Sequence, residues 1–150
     1  MKESIQHTIF YPHPPEMVWE YLTRPELIEL WLMKNDFKAE VGHEFEFTTK
    51  PLPQFNFDGH MYCKVLELVP AKKLTYSWKG GPGDGSLTLD SLVKWELRAV
   101  NDGTELSLVH SGFGKPEAQI AFMPMNIGWE KNMQKIATLI NPNANVTTQA

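Results

Sequence analysis

The sequence predicts an α+β fold: a curved antiparallel β-sheet wrapped around a long C-terminal α-helix, with two short helices after the first strand. Three observations carry that expectation. Between residues 37 and 113, apolar and polar residues alternate with a period of two, in runs of strand length. Turn signals separate the runs: "VPAKK", "KGGPGDG" and "VNDGT", the last with the Asp-Gly pair favoured in hairpins. Near the C-terminus the period changes, and Trp129, Met133, Ile136 and Ile140 stand four, three and four residues apart as one helical stripe. A long helix with one apolar stripe must bury it, and the only large apolar face available is that of the sheet.

The elements follow in order. "SIQHTIF" alternates, with Ile5, His7 and Ile9 on one side, and reads as a strand. "PHPPEMVWEYLT" places prolines at a helix entrance, where a missing N–H costs nothing, before Met17, Val18, Tyr21 and Leu22 at helical spacing. Pro25 restarts a second short helix through "PELIELWL". "HEFEFTTK" sets Phe45 and Phe47 against Glu44 and Glu46. "GHMYCKVLELV" puts Met61, Cys63 and Val65 on one face and His60, Tyr62 and Lys64 on the other. "KKLTYSW" aligns Leu74, Tyr76 and Trp78, and "SLTLDSLVKWELRA" aligns Leu87, Leu89, Val93, Trp95 and Leu97. "TELSLVHSGF" aligns Leu106, Leu108 and His110. Strands joined by short turns make an antiparallel meander with one apolar face. In the last helix, Pro116 opens the first turn and Pro124 is expected to kink or interrupt it. The polar, aperiodic residues 141–150 read as a flexible tail, leaving residues 1–140 as the domain.

Composition bounds the function. A net charge of −4 and the lack of a Lys/Arg cluster with interleaved aromatics speak against a nucleic-acid partner or an anionic membrane surface. The single cysteine, Cys63, excludes an internal disulfide and fits a reducing compartment. The first residues lack the apolar core of a signal peptide, and no stretch nears the roughly 20 apolar residues of a membrane span. The expected location is therefore cytoplasmic. Eight Phe, five Trp, four Tyr and seven Met serve equally as core or as the lining of an apolar pocket.

The stretch "KGGPGDGS", residues 79–86, raises the question of a phosphate loop. Such a loop needs Gly-Lys-Ser/Thr followed by a helix whose N-terminal amides hold the anion. Here Lys79 precedes the glycines, Asp84 sits among them and a strand follows, so the segment reads as a hairpin connection. It is also placed to gate one end of a curled sheet.

Other chemical signatures are weak. The histidines His7, His13, His43, His60 and His110 show no metal-ligand spacing, so no metal site and no cofactor are expected. His60, in "DGH", reads as solvated. His110 shares the inward parity of Leu106 and Leu108, as either a core histidine or a polar anchor in a pocket. Cys63 lies mid-strand among apolar neighbours, where a thiol behaves as a small hydrophobe. Glu44 and Glu46 share a solvated face, and Asp36, Glu40 and Asp58 have no recognisable partner. No catalytic residue is assigned.

The ordered set "PPEMVWEYLTRPELIELWL", "GHMYCKVLELVPAKKLTYSW", "DGTELSLVHSGF" and "IGWEKNMQKIATLI" resembles AHSA-type domains across nearly all of residues 3–140. These are homologues of the C-terminal domain of the activator of the ninety-kilodalton heat-shock protein's ATPase. They belong to the START-like, SRPBCC (birch-pollen-allergen-like) superfamily. The resemblance implies a helix-grip fold of seven, sometimes six, strands around the last helix, with a hydrophobic cavity between them. Superfamily members bind lipids, sterols, polyketides or other apolar molecules, and a minority are enzymes. Pro124 and the "KPLPQF" insertion depart from the family pattern in ways that would reshape the cavity mouth.

Three functions are weighed on this basis. The first is a binding module for a small apolar or amphipathic molecule. Its lining would be Phe45, Phe47, Met61, Cys63, Trp78, Trp95, His110, Trp129 and Met133, with Trp31 and the glycine loop near an opening. The second is a protein-interaction or stress-response module with a chaperone partner, which would need an exposed apolar patch, for which Phe10, Tyr11 and Tyr62 are the candidates. It ranks lower, because the match is to the C-terminal domain alone. The third is an enzyme on an apolar substrate, which would need two converging titratable groups where only His110 is in view. Monomer and homodimer stay open.

Overall fold

The computed structural model describes residues 3–140, so the tail assigned to residues 141–150 lies outside the described residues. Its elements are β1 (Ser4–Tyr11), α1 (Pro15–Thr23), α2 (Pro25–Trp31), β2 (Lys34–Asn35), β3 (Glu44–Thr48), β4 (His60–Val69), β5 (Lys73–Gly80), β6 (Leu89–Val100), β7 (Gly103–Ser111) and α3 (Gln119–Ile140). The seven strands form one antiparallel sheet in the order β1-β7-β6-β5-β4-β3-β2, curled against α3. This is the helix-grip arrangement.

Alternation sets the two faces. Phe45 and Phe47 of β3, Met61, Cys63 and Val65 of β4, and Val93, Trp95 and Leu97 of β6 are all buried. Their neighbours at odd offsets face outward, as a period of two requires. In β4 the alternation stops at a register shift between Val65 and Glu67. That bulge leaves both Leu66 and Glu67 exposed and bends the sheet. The stripe Trp129, Met133, Ile136 and Ile140 is buried against the strands. Two hydrogen bonds fix α3 on β1: Tyr11 donates its hydroxyl to the Met133 carbonyl at 2.7 Å. His7 donates from Nε2 to the Asn126 side-chain oxygen at 2.8 Å.

The β6–β7 hairpin turns one residue earlier than its Asp-Gly signal implies. Asn101 and Asp102 occupy the left-handed region, at φ 47° and 61°, and Gly103 already pairs with Val100. Gly103 is required for a different reason. A Cβ there would stand 2.5 Å from both the Phe10 ring and the Tyr11 carbonyl.

Several sequence expectations are corrected. Tyr11, expected on the outer face, is fully buried, because its parity with Ile5 turns it under α3. Leu87, expected inward, precedes β6 and is exposed, since the loop and not the strand sets its direction. Pro116 opens a 3-10 turn, Pro116–Ala118, that leads into α3, and α3 runs unbroken through Pro124. The proline sits near the helix start, so only the Ile120 carbonyl loses its i+4 donor. His60 is not simply solvated: it opens β4, and its Nδ1 contacts the Glu46 carboxylate. The two-residue edge strand β2 was not expected, because two residues cannot show a period.

No helix among the described residues is long and apolar enough to cross a membrane. No group of three His, Cys, Asp or Glu side chains is placed to hold a metal ion among them.

Candidate functional site: a cavity beneath the first half of α3

The space between sheet and helix divides into a filled end and a hollow end. At the filled end Trp31 packs edge-on against Trp95, with ring centroids 5.9 Å apart, and donates its indole N–H to the Tyr21 carbonyl at 2.7 Å. Phe45 lies edge-on to Phe37 at 4.9 Å and to Tyr76 at 5.3 Å. The Trp95 indole donates to the Tyr76 hydroxyl at 3.0 Å. These large rings arrive from α2, β3, β5 and β6 and pack closely against one another.

A polar relay crosses the centre. Trp129 donates its indole N–H to His110 Nδ1 at 3.0 Å. Nδ1 is therefore the acceptor nitrogen, and Nε2 carries the proton it donates to Ser91 Oγ at 2.8 Å. The Ser91 hydroxyl in turn donates to the Trp78 carbonyl at 2.7 Å. Every donor and acceptor in this chain is matched for a neutral imidazole. Burial pushes the His110 pKa down to about 3. Locked in one tautomer and unable to take a proton near neutral pH, His110 is a structural residue here, the core reading of the two the sequence left open.

The hollow end is a cavity of about 230 Å³, partly open to solvent. Its roof is the face of α3 that carries Ala121, Met125, Gly128 and Asn132. This face is roughly a quarter-turn around the helix from the buried stripe, as 100° per residue requires. Its floor is Met61 and Trp78, with Trp129 at the inner wall. Its cover is the "KPLPQF" insertion and the two residues after it, whose Leu52, Phe55 and Phe57 line the hollow around a Leu52–Phe57 bridge and a 3-10 turn, Pro53–Phe55. The insertion is latched to the glycine loop, because Asp58 N–H donates to the Gly81 carbonyl at 2.9 Å.

The glycines of residues 79–86 are explained by backbone geometry. Gly83 and Gly85 stand at φ 97° and 92°, and a Cβ on Gly81 would strike the Ser86 carbonyl. Asp84 turns back to accept the Ser86 backbone N–H at 2.9 Å, closing the turn with its own carboxylate. Nothing there is arranged for an anion.

Of the ten residues singled out from the sequence, Met61, Trp78 and Trp129 stand on the cavity wall. Phe47, Cys63, His110 and Met133 are buried in the packed interior beside it, and Trp31, Phe45 and Trp95 lie at the filled end. Burial, and after it the neighbouring Asp36 and Glu46 carboxylates, push the Cys63 thiol far above its usual range. Sequence reasoning missed Leu32, Met33, Leu52, Phe55, Phe57 and Met125. One signal was available: apolar residues in a proline-rich loop without periodicity have to cover something.

Set against known proteins, the chain matches the family model described as "Activator of Hsp90 ATPase homolog 1-like protein" over residues 12–141. It belongs to that family. No curated protein matches the sequence. Among solved structures, protein MLL2253 from Mesorhizobium loti is 35% identical, with a TM-score of 0.82 over 93% of this chain and 97% of that one. Protein BH1534 from Bacillus halodurans is 24% identical, with a TM-score of 0.73 over 93% of this chain and 98% of its own. The Aha1 dimer from Colwellia psychrerythraea is 19% identical, with a TM-score of 0.73 over 93% of this chain and 96% of its own. The last two share the fold. This AHSA1-family chain thus has the family's sheet and helix, with its hollow confined to one end.

Proposed function

We propose that this AHSA1-family protein is a cytoplasmic binding module that holds one small apolar molecule beneath the first half of α3. The observation that carries the reading is the make-up of the cavity wall. It is built mainly from aromatic, methionine and leucine side chains, with Thr49, Asn56, Thr88 and Asn132 as its polar members and no Asp, Glu, Lys, Arg or His anywhere on it. Burial of apolar surface drives binding to such a wall, at roughly 25 cal/mol per Å² before ordering costs. Acid–base turnover needs a titratable group within reach of the reacting atoms, and the wall offers none.

Gly128 supplies the test. It lies on the cavity wall, and a Cβ built there meets nothing within 4 Å. Gly128→Leu fills the hollow with a good helix former. Thermal-shift and native mass-spectrometry screens of apolar compounds should find ligands for the native protein that Gly128→Leu loses while keeping its fold. Equal binding by both proteins would place any ligand elsewhere.

A second reading, a protein-interaction module, is supported by the family's description and by one surface feature. Ile120, Met123 and Ile127 are 44%, 59% and 47% exposed along the outer side of α3. Pull-down with the heat-shock ATPase, comparing the native protein with Met123→Glu, decides it. A homodimer, the state named for the Colwellia protein, is settled by sedimentation.

A further inference from the structure

We propose that the cavity selects an uncharged, flat molecule of about ten heavy atoms, one or two fused rings, bearing a single oxygen that is held by the Asn132 side-chain amide. This rests on the binding reading above and narrows it to a ligand class and an anchoring residue.

Size comes first. A hollow of about 150 Å³ accepts a benzene-sized guest. The hollow here, at about 230 Å³, accepts a guest larger in proportion, near naphthalene in bulk. Sterols and long acyl chains exceed it. Shape follows from the walls: Trp78 and Trp129 present ring surfaces, and Met33, Met61 and Met125 present thioethers, which pack well against aromatic edges. Trp78 and Trp129 stand 5.3 Å apart, centroid to centroid, with planes tilted 56°.

Charge is decided by what the wall lacks. A carboxylate or ammonium drawn into it would lose its water and find no counter-charge among the lining residues. Polarity is decided by what the wall leaves unused. The Thr88 hydroxyl is already turned to the Gly80 and Asn56 carbonyls. Asn132 projects from α3 one turn beyond Gly128, on the cavity side, and its amide bonds to no other described residue. Thr49 and Asn56 also line the wall, but both are exposed and keep water as a partner, whereas Asn132 is half-buried. The unpaired Trp78 indole N–H is closed off from the hollow. A wall whose half-buried spare group is a single amide favours one oxygen on the guest.

The experiment compares three probes of one shape by calorimetry at pH 7: 2-naphthol, naphthalene and 2-naphthoate. The native protein should bind 2-naphthol at least about thirtyfold more tightly than 2-naphthoate, since an unpaired buried charge is costly. Asn132→Leu, an apolar replacement of similar size, should keep naphthalene binding and weaken 2-naphthol relative to naphthalene by about fivefold, the value of one hydrogen bond. Binding of naphthoate as tight as that of naphthol overturns the selection against charge. An unchanged naphthol-to-naphthalene ratio in Asn132→Leu overturns the anchor. In both cases the cavity remains a binding site. Failure of all three probes to bind the native protein overturns this ligand class, and the compound screen with Gly128→Leu decides the binding reading separately.

Discussion

Replacing His110 with Gln tests the central relay, and its effect can be worked out in advance. In the folded protein the imidazole is neutral, accepts from Trp129 and donates to Ser91, with a pKa lowered by burial from 6.5 to about 3. In the unfolded chain it titrates near its ordinary value, about 6.5. A histidine with a depressed folded pKa binds its proton more readily when unfolded. Its contribution to stability is therefore fully present above pH 6.5 and is lost as the pH falls toward 3. Each unit below 6.5 costs about 1.4 kcal/mol, so about 2 kcal/mol is lost by pH 5 and roughly 3 by pH 4. A Gln at this position offers the same acceptor and donor without a titration. It forfeits ring contacts with Phe113, Trp78 and Trp129, and should cost about 1–3 kcal/mol at pH 8. Urea unfolding of both proteins from pH 8 to pH 5 then shows the gap between them closing by about 2 kcal/mol. The other four histidines are common to both proteins and cancel in the difference. Parallel pH profiles, or a His110 ring resonance that titrates near 6.5 in the folded protein, would refute the assignment of a neutral, locked imidazole.

Three further outcomes are expected. Tyr11→Phe removes only the hydroxyl that holds the Met133 carbonyl at 2.7 Å, and should lower stability by about 1–2 kcal/mol in denaturant titrations at constant m-value. Pro124→Ala returns a donor to the Ile120 carbonyl and should raise the unfolding free energy by about 1–3 kcal/mol, with a measured destabilisation showing instead that the ring supports the cavity rim. Cys63 should react with a disulfide reagent only at the unfolding rate, and labelling at the speed of a free thiol would contradict its burial beneath the sheet.

The relay shows how the same residues can be half legible. The alternation of "TELSLVHSGF" placed His110 inward with Leu106 and Leu108, and all three are buried. Its partners lie 19 residues away on either side, at Ser91 and Trp129, and no local spacing connects them. Ser91 was not singled out in the sequence, yet it is the residue whose hydroxyl accepts the imidazole N–H. Trp31 was expected near an opening, whereas it lies buried at the filled end, where Trp95 meets it from β6.

The amino-acid order by itself determined most of the inward-facing side chains and all but the two-residue strand among the strands and α-helices, because strand and helix periods are properties of the local backbone. It also determined that α3 must lie on the sheet, since nothing else could cover its stripe. The location and size of the hollow were decided only by the assembled protein. A void is a small difference between the space enclosed by all the elements and the volume of the side chains that enter it, and no single segment carries that difference. The insertion that covers the hollow, the second face of α3 that roofs it, and Gly128 as its open point all took on their meaning there.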